Sequence, residues 1–219
     1  MKHPSHLFRT AAAKLATLKR DKKGIAAVEF ALILPLMMIT YLGVAEVSLV
    51  LSADRRIISV ARASSDLTAQ LSTVADADIN AVFDTAGPLM SPFAANTVKI
   101  AISSVLFNTN PGGSGLDPVP MVDWSVTKNG AAKRLCPALT VVNNNTAASP
   151  TVVPRGVTAN GQAVIIADVS YAYTPMFGAR VVPGGAITLK QTTYMRPRYI
   201  TRIPFTGLTA SQCNVNFTG

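Results

Sequence analysis

Histidine is nearly missing from this chain of 219 residues: it occurs twice, at His3 and His6. A chain without its first two dozen residues has none, which excludes Ser–His and Cys–His nucleophile pairs and histidine-held metal. Cysteine is as scarce. Cys136 and Cys213 lack the short spacing of a thiolate metal site. In an exported chain two readings stand: a Cys136–Cys213 bridge, contributing roughly 4 kcal/mol in the chain-entropy model, or two unpaired thiols. Acids are few, 11 against 20 basic residues. Asp117, Asp123 and Asp168 show no paired spacing, and Asp168 falls on the strand face opposite Ile165 and Val169, which reads as a solvated or surface-paired acid. The glycines at 112, 113 and 115 follow no phosphate-loop pattern. The expectation is no enzyme, no cofactor and no metal.

A net charge of +9 suggests a nucleic-acid partner if the charge forms a patch. It does not. Residues 1–24 hold seven basic residues against Asp21, a net +6, and the remaining 13 basic and 10 acidic residues leave only +3. No nucleic acid is expected. The basic leader, with Lys22 and Lys23 at its end, fits a segment held on the cytoplasmic side of a membrane. The other flank, with Arg55, Arg56 and Arg62 against Asp54 and Asp66, is less biased. The leader itself reads either as a short amphipathic helix built on Leu7, Phe8, Leu15 and Leu18, or as disorder.

What the chain does have is a long apolar run. From Ile25 to Ala53 the only charges are Glu29 and Glu46. As a helix this run reaches roughly 40 Å, more than the roughly 30 Å hydrocarbon core of a bilayer. Both glutamates lie near its ends, where a carboxylate is tolerated better than the roughly 2.5–3.5 kcal/mol it costs at mid-membrane. Pro35 removes one backbone donor inside the run and is expected to kink it.

Gly24, with Glu29 five residues on and Phe30 six, resembles the cleavage site of type IV prepilins. The wider stretch, Gly24-Ile25-Ala26-Ala27-Val28-Glu29-Phe30-Ala31-Leu32-Ile33-Leu34-Pro35, is similar to TadE-like proteins of tight-adherence (Flp) pilus systems. The resemblance implies that a prepilin peptidase cuts after Gly24, making Ile25 the mature N-terminus. It implies a minor pilin or pseudopilin of the inner membrane, single-pass, with its N-terminus cytoplasmic and the rest periplasmic, whose partners are other pilin-like subunits and the assembly platform. The new α-amine, with a reference pKa near 8, is mostly cationic at neutral pH, and Glu29 of a neighbouring subunit can pair with it. Glu29 reaching the interface as a solvated side chain is the plainer reading. Two further readings of the run stand beside this one. One is a permanent anchor that is never cut, on a protein that binds an envelope partner and enters no fibre. The other is a secretory signal cut after Gly43-Val44-Ala45.

Past the run, apolar residues recur at Ile57, Val60 or Ala61, Ser64, Leu67, Leu71 and Val74, and no Gly or Pro interrupts until Gly87-Pro88. One helix is expected from Ile25 to the low seventies, its outer half laid on a sheet in a pilin-like lollipop. Asp76-Ala77-Asp78 begins a second helix that Gly87-Pro88 ends. Strands are expected at Val98–Ile102, Val122–Thr127 (one face Val122, Trp124 and Val126), Ala163–Tyr173 and Ala186–Met195, with turns at Lys128-Asn129-Gly130 and Pro183-Gly184-Gly185. Cys136 to Pro154 reads as an irregular connection and Arg196 onward as a coil tail. Strands joined without helices give an antiparallel sheet, so the class is α+β. The domains are a leader 1–24, a transmembrane and extended helix 25–75, and a periplasmic domain 76–219.

Overall fold

The computed structural model describes residues 24–108, 119–135, 139–142, 149–157, 161–176, 185–207 and 211–212. The fold is α+β, a long apolar N-terminal helix followed by a small, mainly antiparallel sheet domain. The chain divides into two compact units, Met1–Val47 and Ser48–Gly219.

In the first unit the described residues after Gly24 belong to helix α1, Ile25–Ala69, which runs through Pro35. Every residue from 24 to 41 is exposed. Thr40 turns its hydroxyl back onto the carbonyls of Leu36 and Met37, at 3.1 and 2.9 Å, so that hydroxyl is satisfied within the helix itself.

In the second unit the rest of α1 buries one stripe: Ala53, Ile57, Val60, Ala61, Ser64, Ser65, Thr68 and Ala69. The spacing is that of a helix face, and its small residues let the helix lie close to the sheet. Thr193 of the sheet donates to the Ala61 carbonyl at 2.8 Å, and Ser65 and Thr68 back-bond to their own helix. Leu67, expected in the stripe, is 38% exposed. Thr68 takes that place, and the helix stops at Ala69 rather than in the low seventies. Helix α2, Asp76–Asp84, starts where Asp78 accepts from the Ala75 N–H at 2.9 Å. Gly87-Pro88 does not end the helical region. It lies in a further short helix α3, Ala86–Met90, whose first turn accommodates a proline because those N–H groups need no partner there.

The sheet has strands β1 (Lys99–Asn108), β2 (Val119–Lys128), β5 (Gln162–Tyr173), β6 (Ile187–Met195) and β7 (Ser211–Gln212), in the order β6-β5-β1-β2-β7. Its pairs are antiparallel. Asn129 and Gly130 both adopt positive φ, 54° and 68°, which reverses the chain after β2 as the Asn-Gly pair predicts. One face of the sheet carries Ile100, Ile102, Trp124, Val126, Ile165, Ala167, Val169, Tyr171 and Tyr173 into the core beneath α1 and α2.

The other face is not simply solvated. Two short strands, β3 (Thr140–Val142) and β4 (Val152–Pro154), pair in parallel. Leu139 and Val153 bury Val105, Phe107, Val122, Val164 and Ile166 in a second core. The connection expected to be irregular therefore contains structure, which its Asn- and Thr-rich composition hid. Val122 and Trp124 were expected on one face. The β1–β2 register shifts between Ser104 and Val105, so Trp124 lies opposite Ser104 and Val122 opposite Val105. Asp123 is the extra residue of this bulge and Val122 is turned to the second core.

The tail is not plain coil either. Ile203 and Phe205 are buried, Val74 bridges to Phe205 in parallel, and β7 adds to the edge of β2. The Trp124 indole donates to the Ile203 carbonyl at 2.8 Å, and Arg202 forks onto Asp123 at 3.1 and 2.8 Å.

Candidate functional site

The residues singled out by sequence lie at the start of α1. Gly24 is a turn residue and Ile25 the first residue of the helix. The Gly24 carbonyl accepts from the Ala27 and Val28 N–H groups, both at 3.1 Å, and so closes the first turn. A Cβ built on Gly24 meets nothing within 4 Å, so no fold constraint requires glycine there. Glu29 follows Ile25 by four residues, which places both on one helix face about 6 Å apart along the axis. Glu29 is exposed and Phe30 is 59% exposed. Pro35 stands in the third turn of the helix, and its missing N–H leaves the Ala31 carbonyl without its usual helical donor. Residues 1–23, Cys136, Cys213 and the glycine-rich turn at 112–115 lie outside the described residues.

Around these residues the helix shows large apolar side chains to its surroundings. Leu32 and Tyr41 are each 76% exposed, and Ile33, Leu36, Met37, Met38, Ile39, Val44 and Val47 are all more than half exposed. This helix is long and apolar enough to cross a membrane, and its most apolar window buries nothing within the protein. Uncovered apolar surface of this extent is unfavourable in water by about 25 cal/mol per Å², so the segment calls for a cover, of the kind a single pass through a membrane would supply.

A second constellation, which sequence reasoning missed, lies on the outer face of the sheet. Arg134 is buried. Its guanidinium forks onto Asp168 at 2.9 and 3.0 Å and donates to the carbonyls of Ser149 and Val152 at 3.0 and 2.9 Å. Thr192 donates to Asp168 at 2.7 Å. Asp168 is therefore no solvated acid: its partner is an arginine withdrawn from water, and the pair pins the segments around β4 to the sheet. No local signal marks Arg134, because its partner is far along the chain. The nearby Tyr194 hydroxyl is buried without a hydrogen-bond partner. Burial raises its pKa above 10.0; the positive charge of Arg134 opposes that shift and the negative charge of Asp168 adds to it. Arg202 is likewise held charged by its hydrogen bonds to Asp123. These groups stabilise the fold; they line up no nucleophile with a base. Among the described residues no three His, Cys, Asp or Glu side chains come together to hold a metal ion.

The family model described as TadE-like protein matches residues 24–66, from the helix-closing glycine to Asp66. No curated protein and no solved structure matches the chain. By that match the segment 24–66, which holds Gly24, Glu29 and the apolar helix as far as Asp66, is similar to TadE-like proteins.

Proposed function

We propose that this chain is a prepilin-like minor pilin or pseudopilin that takes part in assembling a tight-adherence pilus, a structural subunit rather than an enzyme. The observation that carries the reading is an apolar helix with no cover of its own, led by Gly24 and bearing one acid near its start, in the segment that is TadE-like. The basic leader keeps the N-terminus in the cytoplasm and the sheet domain enters the periplasm. A prepilin peptidase cuts after Gly24. The carbonyl of that bond is also the first acceptor of α1, so the peptidase must open the first turn before it can attack.

Cutting leaves an α-amine on Ile25, one turn from Glu29. Within one subunit this pair is at helical neighbour distance. Between subunits, Glu29 of one chain can accept the amine of the next, and in an apolar surrounding that charge-assisted contact sets the register between helices.

The test is the intact mass and N-terminal sequence of membrane-extracted protein, with and without the prepilin peptidase. A peptidase-dependent start at Ile25 is expected. An intact chain overturns the prepilin reading in favour of a permanent anchor. A start at Glu46 means a secreted domain and removes membrane assembly altogether.

A further inference from the structure

We propose that the end of the sheet formed by Tyr173 and Ile187 rests in the headgroup layer of an anionic membrane. This rests on the reading of α1 as a membrane anchor. A groove of about 450 Å³ opens at that end, lined by Leu49, Pro92, Phe93, Tyr171, Tyr173 and Met176 among others, with no charged residue in its lining. Tyr171 and Tyr173 form its floor and meet Phe93 edge-on, with ring centroids 6.4 and 6.2 Å away. Its lip is exposed: Met176 is 74% and Leu49 39% accessible.

Leu49 also fixes the occupant. It belongs to the last part of the exposed apolar series of α1, which runs from Ile25 to Leu51. A groove that contains Leu49 lies within a few residues of the point where a spanning segment leaves the hydrocarbon. Aromatic and apolar side chains at that depth favour the bilayer interface.

The charges around this end agree. Lys99 stands opposite Ser170, and Ser170 opposite Lys190, so the two lysines share one row on the other face of the sheet. Both are exposed and neither has an ion-pair partner among the described residues, nor do the exposed Arg55 and Arg56 just past Leu49 on α1. Of the acids near this end, Asp84 pairs with Lys128 at 3.0 Å, while Asp54, which accepts from the neutral Gln191 amide at 3.1 Å, and Glu46 offset only two of these four formal charges. An apolar groove and, near the same end of the sheet, a positive balance whose lysines line a separate hollow on the opposite face fit the upper acyl chains and the phosphates of phospholipids. The apolar helix of a second copy would fill the groove but brings only Glu29 and Glu46 to answer these charges.

The experiment uses the full chain in nanodiscs of phosphatidylcholine, with and without phosphatidylglycerol, carrying a phospholipid with a photoreactive group high on its acyl chain. Adducts are mapped by mass spectrometry. Adducts are expected at Met176 and residues 92–97 as well as along residues 25–51. Met176→Glu, an exposed position that the fold tolerates, should remove the groove adducts. Lys99→Gln with Lys190→Gln should lower their dependence on phosphatidylglycerol by about fivefold per lysine. Adducts confined to 25–51 overturn the proposal while leaving the anchor intact. Crosslinks from the groove to a second copy's helix overturn it in favour of that occupant. No adducts anywhere overturn the anchor itself.

Discussion

Arg134 offers the sharpest test of the sheet domain. Its side chain is fully withdrawn from water, and Asp168, its partner, keeps 20% of its side-chain surface. Arg134→Met preserves most of the volume but strips Asp168 of its fork and leaves the Ser149 and Val152 carbonyls without their donor. Removing one partner of a buried pair costs about 3–5 kcal/mol, and the low end applies because Asp168 is partly wet and keeps Thr192. For a domain of this size each kcal/mol moves Tm by about 2–4 °C, so a fall of roughly 6–12 °C is expected. The chain's single tryptophan, Trp124, is buried and reports unfolding by fluorescence in detergent. The double variant Arg134→Met with Asp168→Val should recover much of the loss, because the uncompensated charge goes too. A control, Lys128→Ala, breaks a pair whose members are 38% and 76% exposed and should cost below about 1 kcal/mol. If Arg134→Met unfolds within about 1 kcal/mol of the wild type, the buried network does not hold the β3–β4 layer and the reasoning fails.

Four further variants have expected outcomes. Tyr194→Phe removes a buried hydroxyl that lacks a partner, so at neutral pH it should be neutral or stabilising by up to about 1 kcal/mol in urea titration. Because the folded pKa of Tyr194 lies above 10.0, the wild type keeps this group's contribution below pH 10 and loses it as pH rises toward the folded value, an alkaline slope that the Phe variant should lack. Gly207→Ala places a Cβ 2.5 Å from Asp76 Oδ1 and 2.6 Å from the Phe205 ring, which is packed on Trp124, and should cost about 1–3 kcal/mol by the same titration. Gly24→Val should leave the fold unchanged and abolish processing on an immunoblot, whereas Glu29→Gln should still be cut but enter sheared filaments poorly; wild-type piliation in the latter removes the pairing idea.

The parts of the fold that were legible in the sequence are those where one period rules a long stretch. The apolar run and the stripe at Ile57, Val60 and Ser64 announce α1, and the alternation from Ile165 to Tyr173 announces β5. The misses share a cause, which is partnership across sequence distance. Arg134 meets Asp168, Arg202 meets Asp123, and Trp124 meets Ile203. None of these pairs leaves a local signature, so the outer layer read as loop and the tail as coil. At the candidate site the position of Gly24 and Glu29 on the first turns was readable because it depends on spacing alone. That the Gly24 carbonyl already closes the helix was not, because it depends on where the helix begins.

The extra residue at Asp123 has one more consequence. It changes the parity of β2, so that one strand serves two masters: Trp124 and Val126 belong to the core beneath α1, Val122 to the core beneath β3 and β4. Deleting Asp123 would close the ladder without moving either neighbour, because Val122 would still lie opposite Val105 and Trp124 opposite Ser104. What would go is the carboxylate that Arg202 forks onto. The extra residue is thus a hook rather than a spacer: it lets the sheet hold the tail while each hydrophobic layer keeps its own side chains.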